Sequence, residues 1–135
     1  MLKQALMACA LLGLAACAQP AQHTYVHDAV SSRLYLYQQP SDGSAVLDVV
    51  RANGLFGGGC ATELKIDGRI VAQFQQGERA SFHLAPGSHR LEARHFGTCK
   101  AGSTSLTAEL DAGRHPTLAI GSHGESLDWL PAGQS

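Results

Sequence analysis

The sequence predicts an all-β fold, a small antiparallel β-sandwich, on three observations. From residue 33 onward, short runs of apolar and β-forming residues follow one another at close intervals. Sequences rich in Gly, Pro and Asp interrupt these runs, which is typical of sandwiches and barrels. Apart from the N-terminal segment, the chain lacks a convincing helical period over about ten residues.

Each predicted strand is justified by the turn that ends it. The first alternates apolar and aromatic residues and stops at Pro40, and the second follows the turn PSDG at residues 40–43. Further turns are indicated at 67–68, 75–78, 86–87 and 111–113. The strands predicted between these turns cover residues 33–39, 44–51, 62–66, 70–74, 79–84, 89–96, 103–110 and 116–122.

Two connections carry predictions of register. Leu64 and Ile66 share a face with Ile70 only if the loop between them has an odd number of residues, which favours a three-residue turn at 67–69 with a glycine bulge. A hairpin at 85–88 would place Phe82 opposite Leu91, and cross-strand partners share a face. The predicted inner face of this hairpin is Ala80, Phe82, Leu84, Leu91 and Ala93, and the predicted outer face is His83, Arg90, Glu92 and Arg94.

The N-terminal segment has the pattern of a secretory signal. Lys3 is its only charge, and the apolar or small run at 5–16 is too short to span a bilayer. The run leads into LAAC at 14–17, which resembles the lipobox of bacterial lipoproteins. This resemblance implies that residues 1–16 are removed and that Cys17 carries the lipid, with acyl chains such as palmitate. An uncleaved anchor helix and an ordinary secreted protein cut after this run are the alternatives.

The same resemblance bears on location and domain organisation. Ala18 follows the cysteine, and a residue other than Asp at that position implies the outer membrane in the enterobacterial sorting rule, with the domain facing the periplasm. Residues 17–32 are small and polar without a sustained period, which predicts a flexible tether. The predicted organisation is therefore a signal peptide at 1–16, a tether at 17–32 and a β-sandwich domain at 33–135.

The charge of the chain makes nucleic acid an unexpected partner. The chain has 10 Lys and Arg against 11 Asp and Glu, and it has no basic block. A nucleic-acid-binding domain usually has a basic patch or stripe. No second apolar stretch approaches the ~20 residues that a spanning helix needs, so the lipid alone is the expected attachment to the membrane.

The central part of the chain resembles a known kind of domain. The run IDGRIVAQF at 66–74, followed by GERASFHLAPGSHRL at 77–91, resembles small bacterial lipoproteins of unknown function related to PEGA-type domains. RLYLYQQP at 33–40 is similar to their opening strand, although Gln38 and Gln39 stand where an arginine is expected. The resemblance implies a transthyretin-like or immunoglobulin-like sandwich, and it carries over no catalytic site.

The cysteines predict a disulfide bond between Cys60 and Cys99. An even pair in a chain expected outside the cytosol is typical of a disulfide. Three predicted reversals between the two cysteines would bring both to the same end of the sheets. The glycines at 57–59 would let the backbone approach the bond. A phosphate loop is disfavoured because Ala61 and a strand follow, and a cysteine nucleophile is disfavoured because no histidine is near in sequence.

The histidines raise the possibility of a weak surface site for a transition metal. Their most regular spacing is His83, His89 and His95, but strand alternation puts His83 on the opposite side from the other two. His89 is instead predicted at the rim of the sandwich, bonded to turn backbone. The seven histidines are His23, His27, His83, His89, His95, His115 and His123.

Trp129 is the only tryptophan, and two interpretations of it stay open. It caps one end of the core, an interpretation favoured because the chain has few large aromatic residues. Alternatively, it is an exposed anchor for a partner protein or a glycan. The preceding GSHGES at 121–126 lacks the spacing and context of a serine-hydrolase elbow, so it predicts an exit loop.

These observations predict a lipid-anchored envelope lipoprotein that faces the periplasm and acts as a structural or protein-interaction module. No catalytic residue, cofactor or metal is expected, and the expected partners are the membrane and an envelope protein. One alternative is a lipoprotein component of an envelope secretion assembly, similar in architecture to the outer-membrane lipoprotein of type VI secretion. The other is a small metal-binding or hydrolytic protein whose histidines and Cys60 converge in one pocket.

Overall fold

The described part of the chain folds as two packed β-sheets, which confirms the predicted all-β sandwich. A computed structural model describes residues 26–53, 60–95, 102–121 and 126–131. Within these ranges lie nine strands and two short 3₁₀ turns, at Ser31–Arg33 and Pro40–Asp42. The strands are β1 (His27–Asp28), β2 (Ala45–Arg51), β3 (Thr62–Ile66), β4 (Arg69–Phe74), β5 (Glu78–Leu84), β6 (Gly87–His95), β7 (Ser103–Leu110), β8 (Thr117–Ile120) and β9 (Leu127–Leu130).

The strand order is β1-β5-β2-β8-β9 in the five-stranded sheet and β4-β3-β6-β7 in the four-stranded sheet. All pairs in the four-stranded sheet are antiparallel. In the five-stranded sheet, β1 runs parallel to β5 and β2 runs parallel to β8. Within the described residues, no helix has the length and hydropathy needed to cross a membrane.

The core lies between the inner faces of the two sheets. Strand β2 shows the expected alternation, with Ala45, Leu47 and Val49 buried and the residues between them half-buried. Phe74 of β4 and Phe82 of β5 meet edge to face across the core, with ring centroids 6.3 Å apart and planes at 75°. Both rings are fully buried. Such pairs add about 0.5–1.5 kcal/mol to the stabilisation from burial, so this contact helps to fix one sheet on the other.

The predicted strand at 33–39 is wrong. Only Leu34 forms a single bridge there, opposite Ala72 of β4. Tyr37 has a φ of 63°, a left-handed conformation that a continuous strand cannot contain. Pro40 then opens a 3₁₀ turn. The chain therefore crosses this side of the sandwich as an irregular segment, while Leu34, Leu36 and Tyr37 still pack against the core.

The predicted hairpin at residues 85–88 is also wrong, although most of its facing is right. β5 and β6 belong to different sheets, so the connection carries the chain from one sheet to the other. Phe82 pairs with Leu47 of β2, and Leu91 pairs with Ile66 of β3 and Leu106 of β7. Both sheets turn their inner faces to one core, so Phe82 and Leu91 are buried in either arrangement.

The turn between β3 and β4 is a two-residue turn instead of the predicted three-residue turn. Asp67 and Gly68 both have positive φ, 52° and 80°, and Ile66 pairs directly with Arg69. This is the conformation that an Asp-Gly hairpin favours. The extra residue lies in the strand instead, because the register shifts between Leu64 and Lys65.

This shift within β4 corrects the predicted position of Ile70. The side chain of Ile70 is 41% exposed, although the sequence placed it on the inner face. Val71 and Ala72 are both fully buried. β4 therefore has two consecutive buried side chains directly after Ile70.

The domain begins before the predicted boundary at residue 33. β1 pairs with the start of β5, and Ala29 is buried. Residues 27–32 of the predicted tether are therefore part of the sandwich, because the parallel pairing and the burial of Ala29 hold them there. The predicted signal peptide at 1–16 and the predicted lipidation site Cys17 lie outside the described residues.

Candidate functional site

A buried ionic cluster ties β1, β4 and β5 to the 3₁₀ turn at 31–33. Glu78, the first residue of β5, is 2% exposed and forms a two-pronged pair with the guanidinium of Arg33. In this pair, Arg33 Nη1 lies 2.6 Å from Glu78 Oε2, and Arg33 Nη2 donates to Oε1. The backbone N–H of Gln75 donates to the same carboxylate at 2.8 Å. Arg33 also reaches Gln73 O of β4 at 3.1 Å, so one side chain joins both sheets.

The carboxylate of Glu78 is held in its charged form. Burial on its own raises the pKa of Glu78, but hydrogen bonds from Arg33 and from the Gln75 N–H outweigh it, so the pKa lies below its ordinary value. The hydrogen bond to Glu78 raises the pKa of Arg33. Such a carboxylate is a poor general base because its lone pairs are already occupied and its basicity is reduced.

Arg51, at the end of β2, adds a second cation to this cluster. Its side chain is fully buried, and Nη1 donates to Phe74 O at 2.7 Å. Its Nε and Nη2 have no hydrogen-bond partner within the described ranges. Burial lowers the pKa of Arg51, while the charge of Glu78 opposes this effect. The charge of Glu78 thus acts on two arginines, on Arg33 through a direct ion pair and on Arg51 through its electrostatic field.

A second polar cluster links the β3–β4 turn to the β5–β6 connection. His89 of β6 places Nδ1 2.6 Å from Asp67 Oδ2 and Nε2 2.6 Å from Ala85 O. Asp67 also accepts the Arg90 N–H at 2.9 Å. One imidazole therefore bridges the β3–β4 turn and the β5–β6 connection. The prediction that His89 lies at the rim and bonds to turn backbone is confirmed.

The acceptors around His89 favour the imidazolium form. A carbonyl oxygen and an ionised carboxylate can only accept, so both bonds form fully when both ring nitrogens carry protons. Burial by itself lowers the pKa of His89, but the bond to Ala85 O, the bond to Asp67 and the charges of Asp67 and Glu109 raise it overall. For Asp67, burial acts to raise the pKa, and the bonds from Arg90 and His89 lower it overall. Both ring nitrogens are engaged, so this dyad clamps two turns together.

The structure separates the three regularly spaced histidines. His83 lies on β5 in one sheet, whereas His89 and His95 lie on β6 in the other. In the ranges that the structure describes, no group of three or more His, Cys, Asp or Glu side chains is placed to hold a metal ion. His23 and His123 lie outside those ranges.

The register of the four-stranded sheet bears on the predicted disulfide. Cys60 is half-buried two residues before β3, and Thr62 of β3 lies opposite His95, the last residue of β6. The start of β3 and the end of β6 therefore meet at one end of the sheet, as the sequence predicted. Cys99 follows β6 and lies outside the described residues, as do the glycines at 57–59, so the bond itself stays a prediction.

Trp129 is exposed, and it lies on the last strand of the five-stranded sheet. Its side chain is 44% exposed, and Leu127 packs against the core from the same strand. Trp129 lies opposite fully buried Leu118 of β8, so its ring is on the core-facing side of β9 at the rim of the sandwich. The interpretation of Trp129 as a core cap therefore stays a prediction. Among the described residues, β9 is the outermost strand of its sheet, and it contacts β7 at the edge of the opposite sheet. The alternative interpretation, an exposed aromatic side chain, fits its position.

Sequence reasoning missed the cluster of Arg33, Arg51 and Glu78. Each of these residues lies at the end of an element, where a charged residue is most simply interpreted as a solvated boundary. Their burial depends on the irregular segment before Pro40 and on the crossing between sheets at residues 75–77, neither of which has a distinct sequence signal.

No family model, no curated protein and no solved structure matches the chain.

Proposed function

We propose that this chain is a lipid-anchored envelope protein whose β-sandwich acts as a protein-interaction module without catalysis. Lipidation of Cys17, removal of residues 1–16, location in the outer membrane and a Cys60–Cys99 bond are parts of this proposal. The lipobox-like sequence at 14–17 supports the anchor, and the opposition of Thr62 and His95 supports the bond.

The observation that carries the interaction function is the exposure of Trp129 on an edge strand. Tryptophan is enriched among the residues that dominate binding energy at interfaces. β9 is the last strand of its sheet among the described residues, so its outer edge offers backbone groups to an extended segment of a partner. Exposed Asp128 precedes Trp129 on the same strand and points to the opposite face.

The polar clusters support a module without catalysis. The buried carboxylates of Glu63 and Glu78 are both paired with arginines. Both nitrogens of His89 are engaged by acceptors. These groups would have to break their bonds before they could transfer a proton to a substrate.

Site-specific photocrosslinking in the bacterial envelope tests this proposal. We expect a photoreactive residue at position 129 to form a discrete adduct with one envelope protein, and we expect Trp129→Ala to weaken that complex. The weakening should be on the order of thirtyfold, since a central tryptophan contributes about 2 kcal/mol or more. A photoreactive residue at position 79, exposed at the other end of the same sheet, is the matched control. Equal crosslinking at both positions would count against an interface at β9.

A further inference from the structure

Three of the four large exposed apolar side chains of the described residues lie at one edge of the sandwich. The four large ones are Val30, Tyr35, Ile70 and Trp129, with exposures of 51%, 46%, 41% and 44%. Val30 precedes the 3₁₀ turn that packs beside β4, and Tyr35 donates its N–H to Val71 O of β4 at 2.8 Å. Ile70 is the residue of β4 next to Val71. Val30, Tyr35 and Ile70 therefore lie along or beside the edge of β4, and they are called here the β4 apolar edge.

The β4 apolar edge and Trp129 lie on opposite lateral sides of the sandwich. β4 and β7 are the two ends of the four-stranded sheet, and β1 and β9 are the two ends of the five-stranded sheet. Arg33 bridges β4 to Glu78 of β5, next to β1, whereas β7 contacts β9. One lateral side of the sandwich is thus built from β1 and β4, and the opposite side is built from β7 and β9.

We propose that the β4 apolar edge rests on the lipid bilayer to which Cys17 attaches the chain, so that Trp129 faces away from the membrane. The proposal depends on the lipid anchor proposed above. It deepens that function by assigning one side of the sandwich to the membrane and the other side to the protein partner.

The length of chain between Cys17 and the domain supports contact between the β4 apolar edge and the bilayer. Cys17 and His27 are ten positions apart, and a fully extended chain of that length spans at most about 35 Å. A coil of ten residues has a typical end-to-end distance of about 15–20 Å. Val30 and Tyr35 come two and seven positions after the end of β1, so the segment from Cys17 brings this side of the domain to the bilayer first.

The charges around Ile70 also fit a bilayer that contains anionic lipid. Lys65 lies between Ile70 of β4 and Glu92 of β6 as the cross-strand partner of both, and exposed Arg69 precedes Ile70 in sequence. The nearby carboxylate of Asp67 is paired with His89. Cationic side chains next to exposed aliphatic and aromatic groups are the composition of surfaces that lie in the membrane interface.

The experiment compares two lipidated, full-length proteins that each contain one tryptophan, in vesicles of phosphatidylethanolamine and phosphatidylglycerol with brominated acyl chains. The first is the unchanged protein, with its tryptophan at 129, and the second is Tyr35→Trp/Trp129→Phe. We expect quenching of about twofold or more at position 35, because interfacial side chains lie about 5–10 Å into the headgroup and acyl boundary. Fluorescence from position 129 should be nearly unquenched.

The outcomes separate this inference from the proposed function. Mass spectrometry and co-sedimentation first establish whether the protein carries lipid and binds vesicles, and a protein without lipid overturns both proposals. A lipidated, vesicle-bound protein in which position 35 is quenched no more than position 129 overturns only the orientation. Circular dichroism checks whether Tyr35→Trp/Trp129→Phe folds. If it does not, Ile70→Trp/Trp129→Phe makes the same comparison from β4. A lack of quenching at position 70 then overturns the inference.

Discussion

At the residue scale, the charge of His89 links the stability of the sandwich to pH. The pKa of His89 in the folded protein is raised, so its stabilising contribution is complete below the unfolded value near 6.5 and is lost as the pH rises through the folded pKa. The pKa of Asp67 is lowered, so its contribution is complete above about 3.9 and is lost as the pH falls through the folded pKa. The clamp is therefore strongest between about pH 4 and 6.5.

We expect the free energy of unfolding to fall as the pH rises from about 6.5 through the folded pKa of His89, because the ring then loses the proton that serves one of its two acceptors. Asp67→Asn should lower the pKa of His89 and flatten this fall, because the carboxylate charge is gone while Asn still tolerates the left-handed φ. Urea unfolding across this pH range, with the His89 imidazole signal followed by NMR, provides both measurements. His83→Gln removes a histidine outside this contact and should keep the fall. An unchanged pH dependence in Asp67→Asn would show that the dyad does not cause it.

Glu78 is the second residue on which stability depends strongly. Glu78→Gln removes the carboxylate that forms the two-pronged pair with Arg33, and it removes the negative charge that opposes the effect of burial on Arg51. Breaking a buried pair in this way typically costs about 3–5 kcal/mol, and we expect a loss near the lower value because Arg33 keeps some contact with solvent. Urea unfolding at neutral pH measures it.

The charge argument for Glu78 has two controls. Glu92→Gln changes a half-buried glutamate on the outer face and should alter stability by no more than about 0.5 kcal/mol. The double variant Glu78→Gln/Arg51→Met should recover part of the loss, because it removes the excess buried cation and keeps the volume of the side chain. A double variant that is less stable than Glu78→Gln would mean that Arg51 stabilises the corner independently of its charge balance.

At the scale of elements, the strands were predictable where period and turn chemistry agreed. β3 and β7 have the predicted bounds, because each is flanked by glycine-containing sequence and has no interrupting residue. The segment at 33–39 has an equally good alternation, but it contains Tyr37 in a left-handed conformation. A periodic pattern records which side chains are apolar, and it does not record whether the backbone has a neighbouring strand with which to pair.

Connections were predicted less well than strands, because one local sequence fits two topologies. PG at 86–87 is a turn signal whether the chain reverses within a sheet or crosses to the other sheet. The inner faces of both sheets meet in one core, so burial at Phe82 and Leu91 does not distinguish the two cases. β9 was missed because four residues give too short a pattern.

The candidate sites also divide into one set by local sequence and one set by long-range strand pairing. The rim position of His89 was predictable because the local sequence shows the turn beside it. The Arg33–Glu78 pair joins residues 45 positions apart, and it forms only because β1 lies parallel to β5 and brings the turn at 31–33 next to the start of β5. Long-range pairing of this kind leaves no trace in the local sequence.

At the scale of the whole molecule, the two long sides of the sandwich differ in chemistry. One side has the β4 apolar edge with Lys65 and Arg69, and the other has Trp129 with Asp128. A domain tethered at one side to a bilayer needs an interaction surface on the other side if its partner is in the periplasm. In the proposed orientation, the β4 apolar edge would contact lipid and Trp129 would contact the protein partner.

Stability of the whole domain should depend on the proposed Cys60–Cys99 bond. A bond closing a loop of about 40 residues contributes roughly 4 kcal/mol in the chain-entropy model, a large share of the about 5–15 kcal/mol of a small domain. We expect Cys60→Ser and Cys99→Ser to lose this amount equally, and the double variant to lose no more than either, because each single change already breaks the bond. Urea unfolding with and without reductant measures these losses. The unchanged protein in reductant should match the double variant, and the double variant should not respond to reductant. If the losses of the two single variants add up in the double variant, the cysteines act separately. The end of the sheet where Thr62 meets His95 would then be held by strand pairing and packing without a covalent bond.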